Sequence, residues 1–156
     1  MGCSKRFQEI TNHLIYSHFS NIPLQVKNVV YISEKDFPTR PIIVERNKGS
    51  YVIHGPLHLR FISEKGGTFI LEGLFGHELA HIVLGHCDAR YNSSLDLKEL
   101  GILYPNSEKS ADRESIRMGF GPQLLFFRNF FYKLLTDIKL EHTIPYEIYL
   151  TPKEIF

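Results

Sequence analysis

The chain has 156 residues, 43% of them hydrophobic and 22% charged, with a formal net charge of +1. That balance describes a single folded domain over 1–156 with an ordinary core, and it excludes a disordered chain and a mainly electrostatic nucleic-acid binder. Two cysteines, Cys3 and Cys87, are too few for a disulfide scaffold and point to a reduced, cytoplasmic setting.

The opening residues lack an apolar core followed by a small-residue cleavage site, and no window of about 18 residues is apolar and free of charge. Neither a secretory signal nor a membrane span is expected. In Met1-Gly2-Cys3-Ser4, Arg6 stands where a myristoylation signal wants Ser or Thr. Phe7, Ile10, Leu14, Ile15 and Phe19 fall at roughly helical spacing, predicting an amphipathic first helix over 4–20 that Asn21 and Pro23 end. Residues 26–32 predict a short strand. Beyond Pro38 and Pro41, Ile42-Ile43-Val44 predicts a second, Asn47-Lys48-Gly49-Ser50 a turn, and 51–54 a third, stopped by Gly55-Pro56. Residues 57–62 alternate apolar and polar side chains, as a half-buried strand does.

Gly66-Gly67 ends this strand region, and Thr68 opens a helix that runs through Leu71, Leu74, Phe75 and Glu78 to end near Gly85. Gly73 and Gly76 lower its intrinsic propensity, a cost that tight packing against a strand or the metal site would explain. Residues 87–107 predict a polar connection with a short helix at about 95–100. Pro105-Asn106-Ser107 then precedes a helix over 108–118, and Gly119-Phe120-Gly121-Pro122 separates it from an aromatic helix over about 122–138. Arg128, Asn129 and Lys133 break the apolar run of that helix, which suits the core or a docked partner. Residues 144–156 contain two prolines and predict a strand or strap.

The chemistry concentrates in His77-Glu78-Leu79-Ala80-His81. On a helix, the four-residue spacing puts both imidazoles on one face with a carboxylate beside the first. Two neutral imidazoles suit zinc, and the adjacent carboxylate can take a proton from a zinc-bound water. Glu78 is therefore the expected general base rather than a ligand. A catalytic zinc usually has three protein ligands, and Glu108 is the choice for the third, 27 positions after His81 on a helix that can return across the site. Asp112, one turn later, is expected to orient a ligand histidine through its other ring nitrogen, and is the rival third ligand. His86 lies about half a turn around the helix from His77, so it faces the ion only if the chain turns sharply after Leu84, which Gly85 permits. Packing beside the site is the favoured role for His86. Tyr91, Tyr104 and His142 are candidates for a further hydrogen-bond donor.

The segment HELAHIVLGH at 77–86, followed by EKSAD at 108–112, resembles the zincin metallopeptidases, and among them the compact gluzincins of the ImmA/IrrE-like kind. The resemblance is strongest over 68–118. It implies a zinc ion held by His77, His81 and Glu108, with Glu78 catalytic and Asp112 in support. It also implies an α+β fold: a single compact zincin-like domain with a small twisted sheet packed on the active-site helix, whose edge at 57–62 would receive an extended peptide. The implied activity is a zinc-dependent endopeptidase acting on a specific protein or peptide, a transcriptional regulator being the class such families cleave. No nucleic-acid or membrane partner is expected. The alternative is a non-catalytic, zinc-containing protein-interaction module, which a closed fourth ligand such as Asp112 or His86 would favour.

Overall fold

Gly67 sets the course of the helix that carries the two histidines. The computed structural model describes the backbone of residues 29–34, 43–47, 50–55, 59–86, 106–137 and 148–156, with Glu9 and His13 besides; side chains are described for 9, 13, 67–86, 106–133, 136–137 and 148–156. Three strands, β1 (Val29–Glu34), β2 (Ile43–Asn47) and β3 (Ser50–Gly55), precede helix α1 (Leu59–Val83). At Gly67 the backbone takes φ 72° and ψ −178°, which interrupts α1. Glycine adopts such angles at little cost. The helix resumes at Thr68, where the sequence places its start, so the segment bearing His77 has its own direction.

The expected strand at 57–62 is overturned, since residues from Leu59 onward are helical. Six residues are too few to separate a period of two from one of 3.6, and the next residues, Glu64 and Lys65, are good helix formers. The edge groove assigned to 57–62 falls with it. The hairpin is where the sequence puts it: β2 and β3 pair antiparallel with Asn47 opposite Ser50 and two residues between them along the chain. The backbone order is β1-β3-β2, with β1 parallel to β3.

The fold class also needs correction. Of the residues whose side chains are described, 87% are helical and none belongs to a strand. This overturns the α+β reading of a sheet packed on the active-site helix. The described core is helix on helix: α1 packs chiefly on α3 (Gly121–Asp137), and then on α2 (Ser107–Ser115). Leu71, Leu74 and Phe75 of α1 meet Phe120, Leu124 and Phe127 in one buried cluster. Burying each such side chain contributes about 1.5–3 kcal/mol relative to exposure. The two interior glycines explain how close the helices come. A Cβ on Gly73 would lie 2.2 Å from the Gln123 carbonyl oxygen, and one on Gly76 would lie 2.7 Å from the Phe120 ring.

Between α2 and α3 the chain makes a π-helical turn at Ile116–Phe120, in which Gly119 has φ 100°. Another residue type would be strained there. The turn swings Phe120 into the core and sends α3 back along α1. The chain then returns at Ile148, Tyr149 and Leu150, all buried, and ends in the short helix α4 (Pro152–Ile155). Thr151 and Glu154 form a capping box there, with the Thr151 N–H donating to Glu154 Oε2 at 2.8 Å. Among the described residues, no helix is long and apolar enough to cross a membrane. Of the predicted first helix only Glu9 and His13 are described, both helical. The predicted short helix at 95–100 lies outside the described residues.

Candidate metal centre

Residues four apart on α1 put His77 and His81 on one face, with ring centroids 4.7 Å apart. Both are buried, at 3% and 6% exposure, in a helix whose other residues are mostly core. Such rings need polar partners, and α2 supplies them. Glu108 and Asp112 are also one turn apart, and they grip His77 from its two nitrogens: Nε2 lies 3.0 Å from Glu108 Oε2, and Nδ1 lies 2.8 Å from Asp112 Oδ1. His81 Nε2 is 3.0 Å from His77 Nε2 and 3.4 Å from Glu108 Oε2. Three potential ligand atoms thus converge from His77, His81 and Glu108, and this buried group could hold a metal ion.

The spacing suits a small cation. Ligands at 2.0–2.1 Å in a tetrahedron stand about 3.3 Å from one another, and the triangle here has sides of 3.0, 3.0 and 3.4 Å. The charge suits one too. Glu78, Glu108, Asp112 and Arg128 are all buried. Three carboxylates and one guanidinium sum to −2 when both histidines are neutral. Buried charge of that size requires compensation, by protons or by a cation.

In the metal-free protein, protons serve. Burial pulls the His77 pKa down, but Asp112 and Glu108 outweigh it and push it up to about 9. Burial also raises the Glu78 carboxyl above its ordinary range, against the pull of His77 and His81. Glu108 behaves oppositely: burial opposes its ionisation, yet the neighbouring His81 and hydrogen bonds from both rings hold it well below the usual carboxylate range. Burial likewise opposes the Asp112 charge, but Arg128 and His77 bring its pKa down to about 2.

His86 joins the site through a turn. Gly85 has φ 70°, the His86 N–H donates to the His81 carbonyl at 3.0 Å, and the Gly85 N–H donates to the Ile82 carbonyl at 3.0 Å. This is a Schellman ending, with glycine at the left-handed position. It folds the chain back sharply enough to set His86 Nδ1 2.8 Å from His81 Nδ1. Burial, with His81 beside it, lowers the His86 pKa to about 4, so the ring is neutral at pH 7 and can accept the His81 Nδ1 proton. Each of the two histidines therefore has its Nδ1 engaged elsewhere, leaving Nε2 toward Glu108.

Glu78 is buried beside His77, while Asp112 and His86 stand behind the two rings rather than among the converging atoms. Tyr91, Tyr104, His142 and Cys87 lie outside the described residues. Sequence reasoning missed Arg128 and Tyr149. Arg128 Nη2 donates to Asp112 Oδ1 at 2.7 Å, and the guanidinium carbon lies 3.8 Å from the centre of the Tyr149 ring. One signal could have found Arg128: a cation in the middle of an apolar, aromatic run needs a buried partner. Nothing in the local sequence marks Tyr149. No protein family, no characterised protein and no solved structure matches this chain.

Proposed function

We propose that the protein is a zinc-dependent endopeptidase that hydrolyses a peptide bond in a specific protein substrate. A transcriptional regulator is the substrate class suggested by the zincin resemblance, and the cytoplasm is the setting suggested by cysteine use. The observation that carries the reading is the convergence of His77 Nε2, His81 Nε2 and Glu108 Oε2, with both Nδ1 atoms already engaged. Two imidazoles and one carboxylate match zinc's preference for nitrogen with a single hard oxygen. Among the described residues no fourth ligand joins the group. That favours a position left for water over the closed set of a structural site.

When bound, zinc supplies the Lewis acidity that makes water a nucleophile at neutral pH and polarises the scissile carbonyl. The side chains do the rest. His77 and His81 present lone pairs because Asp112 and His86 take their other ring protons. Glu78, the residue after His77, takes the proton of the attacking water and returns it to the departing amine, so that a C–N bond breaks as a C–O bond forms. Burial that raises its pKa makes it a better base.

Two variants test this. E108Q should lower zinc affinity at least tenfold by equilibrium dialysis, whereas E78Q should retain zinc and fold but lose cleavage by 10²-fold or more, in line with loss of a general base (~10²–10⁴). E78Q should also trap its substrate from a native extract. Unchanged zinc binding in E108Q would remove the ligand assignment, and equal cleavage of a trapped substrate by E78Q would remove the mechanism.

A further inference from the structure

Arg128 sits where an arginine is costly. It lies in the third turn of α3, 2% exposed, with its guanidinium carbon 5.2 Å from the centre of the Phe127 ring. Its Nε has no hydrogen-bond partner among the described residues. A buried donor left in that condition costs about 1–3 kcal/mol. A leucine or methionine would fill the space without that cost, so packing alone does not account for the residue.

What Arg128 does touch is specific. Its Nη2 donates to Asp112 Oδ1, the same oxygen that accepts from His77 Nδ1–H at 2.8 Å. The 3.4 Å between Arg128 Nη2 and His77 Nδ1 is therefore the approach of two donors sharing one acceptor. The other oxygen, Asp112 Oδ2, accepts the Leu150 N–H at 2.8 Å. Tyr149 covers the guanidinium face at 3.8 Å, and its ring stands 6.0 Å from that of His77. Four elements meet on one fully buried carboxylate: α1 through His77, α2 through Asp112 itself, α3 through Arg128, and the C-terminal strap through Leu150.

Asp112 Oδ1 accepts from the imidazole and the guanidinium together, so Arg128 fixes where that carboxylate points and, through it, how the His77 ring is turned. We propose that Arg128 is a positioning residue for the metal ligand His77, acting through Asp112 by fixing that carboxylate's orientation under the Tyr149–Leu150 strap. The inference rests on the metal reading of His77, His81 and Glu108, and assigns Arg128 no contact with substrate.

The test is a double-mutant cycle with Co²⁺ as the probe, read by affinity and by the visible d–d spectrum. R128M should weaken Co²⁺ binding by about 10–100-fold, the usual cost of losing such support, and should alter the spectrum. R128K, which keeps the charge, should recover part of the affinity. R128M should cost much less affinity in a D112N background than in wild type, because Arg128 acts through that carboxylate. If R128M fails to fold, the same cycle with R128K decides the matter. The inference is overturned if R128M keeps wild-type affinity and spectrum, or if the Arg128 substitution costs D112N as much affinity as it costs wild type. Wild type that binds no cation would sink the metal reading and take this inference with it; wild type that binds while R128M matches it would sink the inference alone.

Discussion

Adding one methyl group at Gly73 tests the close approach that holds the site together. Two terms of opposite sign compete in Gly73→Ala. Alanine in a helix interior is favoured over glycine by about 1 kcal/mol. Against this, the new Cβ would lie 2.2 Å from the Gln123 carbonyl oxygen, 2.5 Å from its carbon and 2.9 Å from the Leu124 nitrogen. Those atoms belong to the α3 backbone and cannot rotate away, so α1 and α3 must separate by about 1 Å to restore contact distance, and a gap of that size forfeits a quarter to a half of each pair's attraction. Overpacking of a core costs roughly 1–3 kcal/mol and more where backbone must shift. The upper end applies here, giving a net loss of about 2 kcal/mol. Urea unfolding should show a lower midpoint with unchanged slope, and Tm should fall by about 4–8 °C for a chain of this size. Arg128 rides on the displaced helix, so zinc affinity should weaken as well. An unfolding midpoint at or above that of wild type would refute the reasoning, because propensity alone would then decide the outcome.

The site and its turn give two further expected outcomes. With the His77 pKa raised to about 9, a proton must leave before Nε2 can take a metal. Zinc affinity should therefore rise about tenfold per pH unit from pH 7 to 9, with about one proton released per ion near neutrality; calorimetry in buffers of different ionisation enthalpy measures it, and a flat profile rejects it. The metal-free protein should do the reverse. Stability contributed by protonated His77 is complete below its unfolded pKa near 6.5 and is lost as pH rises through about 9. At Gly85, with φ 70°, Gly85→Ala should cost about 1–2 kcal/mol of stability and loosen His86 from His81, with a several-fold drop in zinc affinity. Wild-type stability in that variant would show that the left-handed turn is not needed.

Local signals were the legible ones. Four-residue spacing in HELAH, the pairing of Asn47 with Ser50, the helical course from Thr68 and the stop near Gly85 are decided by neighbours in sequence, and the structure has each of them, although the helix begins earlier, at Leu59. Glu108 was legible from its place on a helix 27 positions after His81 and from the resemblance of EKSAD, and Asp112 from its one-turn spacing beyond Glu108. Residues 57–62 misled because an amphipathic pattern that short carries no unique period, and the helix that claims them from Leu59 onward extends through Glu64 and Lys65. The α+β expectation came from resemblance, while the described core is filled by helical side chains. Arg128, Tyr149 and Leu150 were not legible as site residues. Their roles depend on α3 and the strap arriving at Asp112 from 16 to 38 positions away, which no local pattern encodes.

The two histidines of the candidate centre are held in different ways. His81 Nδ1 faces His86, five residues along and held by the ending of its own helix, so that contact is local in sequence. His77 relies on Asp112, which reaches it only when α2, α3 and the strap have docked. Two of the three ligand atoms lie on α1, and the third arrives on the same short helix as the carboxylate that orients His77. Glu108 and the carboxylate that faces His77 Nδ1 thus reach α1 on one element, and α3 and the strap hold that carboxylate in place. A cation that binds the assembled triad will stabilise the packing of α2 on α1 by mass action, and the helices will not exchange it freely while they remain docked.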